Sequence, residues 1–397
     1  MGLCLVLLLT MLFSAPPRSA GALVEANPGK TVRNAVTIID QKYLHAASNP
    51  AWKQAKQVLL AGRYETTSEA YQALGEELAR VHDPGLYLVN SEEFRVREEE
   101  LEAKRIGTGL VSFAIDRDPS SGYARVVTAL DDSAASRAGI RPRDLIVSID
   151  GKSTRTMSHE RILDALGVQT AKVRIEIRRG WRTRRVVLDP SRRPLDAVQF
   201  SRRKIHGKII GYIRVLLFTP DAGQKVQDAV IELEHAGVDG FVLDLRNNPG
   251  GSLASAESAA RAFTAGVLGT EVRGSGRPER LLTRGAPLTG KPLIVLINGG
   301  TASAAEMLAG ALHDLHRAVL VGAASFGRGR TQAYIPLSDG YGVFVPNGEL
   351  LTPNGRALKP EGILPDLKVA GDYLPPKRIA TRHDAQFERA IAVLQHS

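Results

Sequence analysis

The sequence predicts an α+β protein of several domains, and three patterns along its 397 residues carry that expectation. Apolar residues recur at helical spacing up to about Arg97, β-forming runs occupy Gly107 to about Leu188, and strand and helix patterns alternate from Ile209 onward. In the first region Val32, Ala35, Val36, Ile39 and Tyr43 share one helical face. Tyr71, Leu74, Leu78 and Val81 repeat the spacing until His82-Asp83-Pro84-Gly85 ends it. In the second, strands are expected at 110–115, 145–149 and 173–177, with a helix at 158–166. The third reads as strand 209–218, helix 221–235, strand 241–245, helix 253–263, strand 293–297, helix 303–315 and strand 318–321, an alternation that argues for α/β layering.

The apolar run Leu3–Phe13 is too short to span a bilayer and suits the core of a signal peptide, followed by Ala20-Gly21-Ala22 as a cleavage site. The expected divisions are a signal peptide over 1–22, a helical region over 31–100, a β-rich domain over 101–190, an α/β core over 200–372 and a tail or helix over 373–397. Cys4, the one cysteine, lies in the leader, so the rest of the chain has no thiol for catalysis, thiolate metal ligation or a disulfide. A chain with 43% hydrophobic and 24% charged residues is ordinary for a globular protein, which argues against wholesale disorder and against a polytopic membrane protein. The net charge of +10 is local, because residues 172–208 alone hold 13 Lys and Arg against 3 Asp and Glu. With few interleaved aromatics and no recognition motif, that stretch does not predict a nucleic-acid partner.

Three loops in the last region follow apolar strands. Asn247-Asn248-Pro249-Gly250-Gly251 reads as a tight turn or as a run of amides open to an oxyanion. Asn298-Gly299-Gly300-Thr301-Ala302-Ser303-Ala304-Ala305-Glu306 puts Ser303 at a helix start, either as an exposed hydroxyl or as half of a Ser303-x-x-Glu306 capping box. Ser325-Phe326-Gly327-Arg328-Gly329-Arg330-Thr331-Gln332 carries two guanidinium groups able to hold an anion. His313 and His316 have a metal-compatible spacing but no evident third ligand, so they read as surface histidines.

In order along the chain, Gly211-Tyr212-Ile213-Arg214, residues 240–251, residues 298–306, Phe326-Gly327 with Gln332, Thr352-Pro353-Asn354-Gly355-Arg356 and Gly362-Ile363-Leu364-Pro365-Asp366 resemble the carboxyl-terminal processing peptidases, or tail-specific proteases. The resemblance implies a PDZ-like domain over 101–190 and a protease core over 200–372 of crotonase-like ββα-repeat fold. It implies that Gly107, Thr108, Gly109 and Leu110 form a carboxylate-binding loop and that the partner is a protein C-terminal tail. Ser303 falls on the family's nucleophile, Gln332 on the glutamine that orients the base, and the amides of Ala304 and of Gly250 or Gly251 on the oxyanion hole. Pro249 has no N–H to offer. No cofactor, metal or nucleic acid is implied, no membrane span is expected once the signal is removed, and the expected destination is a periplasm or thylakoid lumen.

At the family's general-base lysine this chain has Arg328. A serine hydroxyl needs a neutral base, and burial can make a lysine neutral near pH 7 to 8. A guanidinium starts far above that range, and neutralising one near pH 7.5 costs roughly 7 to 8.5 kcal/mol. Impaired or absent proteolysis is therefore expected, with a C-terminus-binding adaptor as the alternative to an active peptidase.

Overall fold

The computed structural model describes residues 27–104, 106–167, 171–190, 194–274, 278–370, 374 and 376–396. The expected signal peptide, its cleavage site and Cys4 lie outside them. The chain begins with helices α1 (Pro28–Lys42), α2 (Pro50–Ala61) and α3 (Thr67–Arg80). A proline opens each of the first two behind an asparagine cap, and Asn49 Oδ1 accepts from the amides of Ala51 and Trp52. Strand β1 (Tyr87–Val89) interrupts the helical stretch before α4 (Ser91–Leu101), which Asn90 and Glu93 close with a reciprocal cap.

The middle domain holds β2 (Ile115–Arg117), β3 (Ala124–Val126), α5 (Ala134–Arg137), β4 (Leu145–Ile149), β5 (Lys152–Ser153), α6 (His159–Leu166), β6 (Val173–Arg179) and β7 (Arg182–Leu188). Its antiparallel sheet runs β2-β3-β4-β6-β7, with β5 on β4. The strand expected at 110–115 is mostly absent. Leu110 and Val111 are buried loop residues, and a 3-10 turn closed by the Ala114 amide on Val111 O (2.8 Å) leaves only Ile115 to start β2.

The last region contains β8 (Val198–Ile205), β9 (Lys208–Val215), α7 (Ala222–His235), β10 (Gly240–Asp244), α8 (Leu253–Ala260), β11 (Gly266–Arg273), β12 (Glu279–Thr283), β13 (Leu293–Ile297), α9 (Ala304–Asp314), β14 (Val319–Gly322), β15 (Arg330–Pro336), β16 (Gly342–Leu351), β17 (Leu367–Lys368) and α10 (Ala385–Gln395). Its main sheet runs β17-β14-β13-β10-β9-β8, parallel except for the β8-β9 hairpin. Helices α7, α8 and α9 cover one face and α10 the other. A second sheet, β1-β16-β11-β12 with β15 on β16, joins the N-terminal helices to the core, because Val343 and Val345 of β16 pack among Ile39, Trp52, Tyr71 and Leu74. Among the described residues, no helix is long and apolar enough to cross a membrane.

Because β10, β13 and β14 are parallel, the loops leaving their carboxyl ends meet at one edge of the sheet, where open α/β sheets carry their sites. A buried ion cluster fixes the first of these loops. The Arg246 guanidinium donates to both carboxylate oxygens of Asp244 (2.9 and 2.6 Å) and of Asp384 (2.8 and 2.7 Å), while Tyr212 donates to Asp244 at 2.7 Å. Burial opposes ionisation of Asp244, but the Arg246 charge prevails and holds its carboxyl below the usual range. Asp384 also caps α10 through the Phe387 amide, so the C-terminal helix is tied to the loop that follows β10. Removing one partner of such a pair leaves an uncompensated buried charge. Asp384→Ala is expected to lower unfolding stability by roughly 3 kcal/mol, read from urea titrations, whereas a loss below about 1 kcal/mol, the scale of an exposed pair, would contradict the clamp.

Candidate active site

Ser303 lies between β13 and α9 with φ 55° and ψ −121°, a conformation that non-glycine residues rarely adopt and that the surrounding contacts must hold. Asn298 Nδ2 donates to Asn247 Oδ1 and its own Oδ1 accepts from the Asn247 amide, both at 2.9 Å. Thr301 Oγ1 donates to Leu245 O, and the Ala302 amide donates to Asn248 O, each at 2.9 Å. The loops after β10 and β13 are thereby laced together. A β-carbon at Gly250 would stand 2.8 Å from Ser303 Cβ and 3.1 Å from the Ala304 nitrogen, so only glycine, here with φ 105°, allows this approach.

Amides are available at this point. Among the described residues the Ala304 N–H, first in α9, and the Gly251 N–H have no protein acceptor, while the Gly250 N–H donates to Asn248 Oδ1 at 2.8 Å. Helix α9 directs its positive end toward the same place. Ser303 thus meets the Ala304 amide and the Gly250 backbone in one small volume.

Glu306, one turn into α9, does more than the expected cap. It is fully buried and accepts from the Ser303 amide at 2.9 Å, the Gly327 amide at 2.7 Å, the Arg328 amide at 2.8 Å and the Ser325 hydroxyl. Burial raises its pKa, and these hydrogen bonds partly offset the rise. The main chains of Ser303 and Arg328 therefore share one carboxylate oxygen. A charged residue inside the apolar run Ala304-Ala305-Glu306-Met307-Leu308 was the sequence signal for this role, since a buried charge must be partnered. On its other side the loop lies against residues 358–362: a β-carbon on Gly327 would meet Lys359 O at 2.0 Å.

The PDZ-like domain rests on the same loop. Phe326 is buried with Val127 and Ala302 under the guanidinium groups of Arg125 (4.7 Å) and Arg143 (5.3 Å), and Arg143 donates to the carbonyls of Ser325 and Phe326 at 3.2 Å. The Arg328 side chain acts electrostatically across this contact. Burial works to raise the Asp116 carboxyl of β2, but the charges of Arg328 and of Arg125, which bonds it at 2.8 Å, hold it below the usual range. Burial, with the Arg328 charge second, pushes His159 of α6 down to about 3, leaving it neutral. Gln332 lies on β15 and donates to Gly85 O at 2.6 Å, a contact with the N-terminal helical region.

In the loop at 107–110 every residue is buried. The Gly109 amide donates to Ile106 O at 2.6 Å, the Leu110 amide to Thr108 Oγ1 at 3.3 Å, and Thr108 O accepts from Ala135 at 2.9 Å. Two of the amides expected to meet a carboxylate are therefore engaged inside the domain.

Between α4 and α6, carboxylate oxygens of Glu93, Glu160 and Asp164 lie within 4.8 Å of one another. Arg97 already supplies a positive charge there through Asp164 at 2.7 Å, which makes the cluster a poor cation cage. Burial first, then Glu93 and Asp164, push Glu160 up to about 7. Its folded pKa lies above the ordinary value, so its contribution to stability is complete at acid pH and is lost as pH rises through about 7. Glu160→Gln is expected to flatten the fall in urea midpoint between mildly acid pH and pH 8, and wild-type and variant curves running parallel would contradict this. Glu306→Gln gives one oxygen and one NH₂ to four donors and is expected to cost roughly 2 kcal/mol or more by the same measurement; an unchanged midpoint would contradict it.

Comparison with known proteins accords with this geometry. Residues 209–369 match peptidase family S41, and residues 125–179 match the PDZ domain family. The carboxyl-terminal-processing protease of Picosynechococcus is 32% identical over an alignment covering 99% of this chain and 95% of that protein. Carboxyl-terminal-processing peptidase 2, chloroplastic, of Arabidopsis thaliana is 32% identical across 83% of this chain and 66% of its own length. The solved photosystem II D1 C-terminal processing protease superposes with a TM-score of 0.77 at 28% identity, covering 88% of this chain and 95% of that one. The chain belongs to the carboxyl-terminal-processing proteases of peptidase family S41.

Proposed function

We propose that this protein binds the carboxyl-terminal tails of other proteins through its PDZ-like domain and brings them to a Ser303 site whose proteolysis is weak or absent. The observation that carries this reading is Arg328 at the position where the resemblance assigns a lysine. Ser303 can attack a peptide carbonyl only after losing its proton. Arg328, as a guanidinium, stays a cation over the working range of a serine peptidase. The roles proposed for the remaining residues are nucleophile for Ser303, oxyanion donors for Ala304 with Gly251 or Gly250, orientation of the residue at 328 for Gln332, and carboxylate recognition for the loop 107–110.

A cation beside the developing oxyanion can still stabilise it, and Arg328 can clamp a carboxylate, so tail binding survives the loss of a base. The processing-protease names of the relatives support a tail as ligand, and the chloroplastic relative, with the apolar run at 3–13, supports export to a periplasm or thylakoid lumen. A second reading, an active endopeptidase, is favoured by the built turn around Ser303 and the Ala304 amide.

Purified protein and a substrate with an apolar C-terminal tail separate the two readings. Cleavage is expected to be at background for wild type and Ser303→Ala and to appear in Arg328→Lys, at least tenfold above wild type. Cleavage by wild type as fast as by Arg328→Lys, and lost in Ser303→Ala, would overturn the reading. If that cleavage also vanished in Lys359→Ala, the exposed lysine whose carbonyl lies against Gly327 would be its base.

A further inference from the structure

We propose that the β6–β7 hairpin of the PDZ-like domain is a docking surface for an anionic lipid bilayer, with Trp181 entering the headgroup layer. Trp181 follows Gly180 at the turn and is 85% exposed. The amphipathic indole ring is favoured where a bilayer meets water. Residues 177–188 include five arginines and no Asp or Glu. Val187 of the outermost strand, 60% exposed, adds apolar surface beside them.

The tip is braced. Arg179 donates to both oxygens of Asp144 (2.6 and 2.7 Å) and to Gly139 O, and Arg184 donates to the same carbonyl, each at 2.8 Å. Those two arginines hold the hairpin on the domain. Two others stand on aromatic faces: Arg182 on Trp181 at 4.8 Å and Arg178 on Tyr123 at 5.2 Å. Among the described residues neither has a carboxylate partner. Their charges are therefore available to lipid phosphates at this end of the domain, where arginine and tryptophan can act together at a membrane surface.

Charge complementarity selects an anionic bilayer over a neutral one, and a convex tip with a single aromatic fits a headgroup layer better than the stacked, grooved path of a nucleic acid. The surface is separate from Ser303, so it holds whether or not the site cleaves. The chain has two tryptophans, and Trp52 is fully buried among the N-terminal helices, so a change in indole fluorescence reports Trp181.

The test uses the full chain with vesicles of phosphatidylcholine alone or with about 30% phosphatidylglycerol. Expected are cosedimentation and a blue-shifted emission with anionic vesicles only, reversed by salt. The affinity is expected to fall at least tenfold in Trp181→Ala and in Arg178→Gln/Arg182→Gln, with circular dichroism unchanged. Equal binding to neutral vesicles, or unchanged binding by Trp181→Ala, would overturn the proposal by placing attachment elsewhere, such as the apolar residues 3–13. Salt-sensitive quenching by a single-stranded oligonucleotide without vesicle binding would overturn it in favour of a nucleic acid.

Discussion

A buried carboxylate that accepts from four donors sets the geometry on which the rest of this site depends. Glu306 ties the Ser303 amide to the amides of Gly327 and Arg328, so the strained serine turn and the loop that follows β14 are held by one side chain. Desolvation makes that charge costly, and the four donors offset part of the cost. From there the constraint spreads outward. The same loop lies against residues 358–362 through Gly327, and it carries Phe326, on which Arg125 and Arg143 of the PDZ-like domain rest. Domain docking and the order of the serine turn are linked through a few hydrogen bonds around one helix start.

In the proposed function, arginine where the resemblance assigns lysine bears on the chemistry of the site through its side chain. The main chain of residue 328 is held by Glu306 whatever its side chain. The charge of the guanidinium reaches Asp116 and His159 on two elements of the PDZ-like domain. The helix start, the free Ala304 amide and the close approach of Gly250 suit stabilisation of an oxyanion, yet none of them removes a proton from the Ser303 hydroxyl. In the proposed function, recognition and transition-state stabilisation are therefore separable from base catalysis.

Much of the core was legible because buried strands such as Leu293–Ile297 are continuous apolar runs and the helices between them have clear periodicity. The second sheet was not legible. β15 opens with the polar run Arg330-Thr331-Gln332, β16 carries Pro346-Asn347-Gly348 in its middle, β11 contains Gly266 and Gly269, and β12 is only five residues long; their pairing is set by contacts across the fold. β8 was hidden within the basic stretch 172–208 because Arg202, Arg203 and Lys204 sit on an edge strand with much of its surface exposed. β1 was concealed in a helical stretch, since its three residues pair with a strand some 250 positions later. At the site, the pattern of strand, glycine turn and helix pointed to Ser303 and Gly250, and the family resemblance added Ala304, because their placement is local. The multiple ties of Glu306 and the reach of Arg328 into the neighbouring domain require tertiary proximity, which no spacing encodes.

In the proposed function Ser303 is a nucleophile without a titrating base. The most direct measurement is the rate at which a fluorophosphonate modifies Ser303 as a function of pH, followed by mass spectrometry of the peptide that contains it. The account predicts slow modification that rises in proportion to hydroxide with no inflection between about pH 6 and 9, because no neighbouring group changes its protonation there to assist. An inflection in that range, with a plateau above it, would reveal a base acting on Ser303 and would contradict the account.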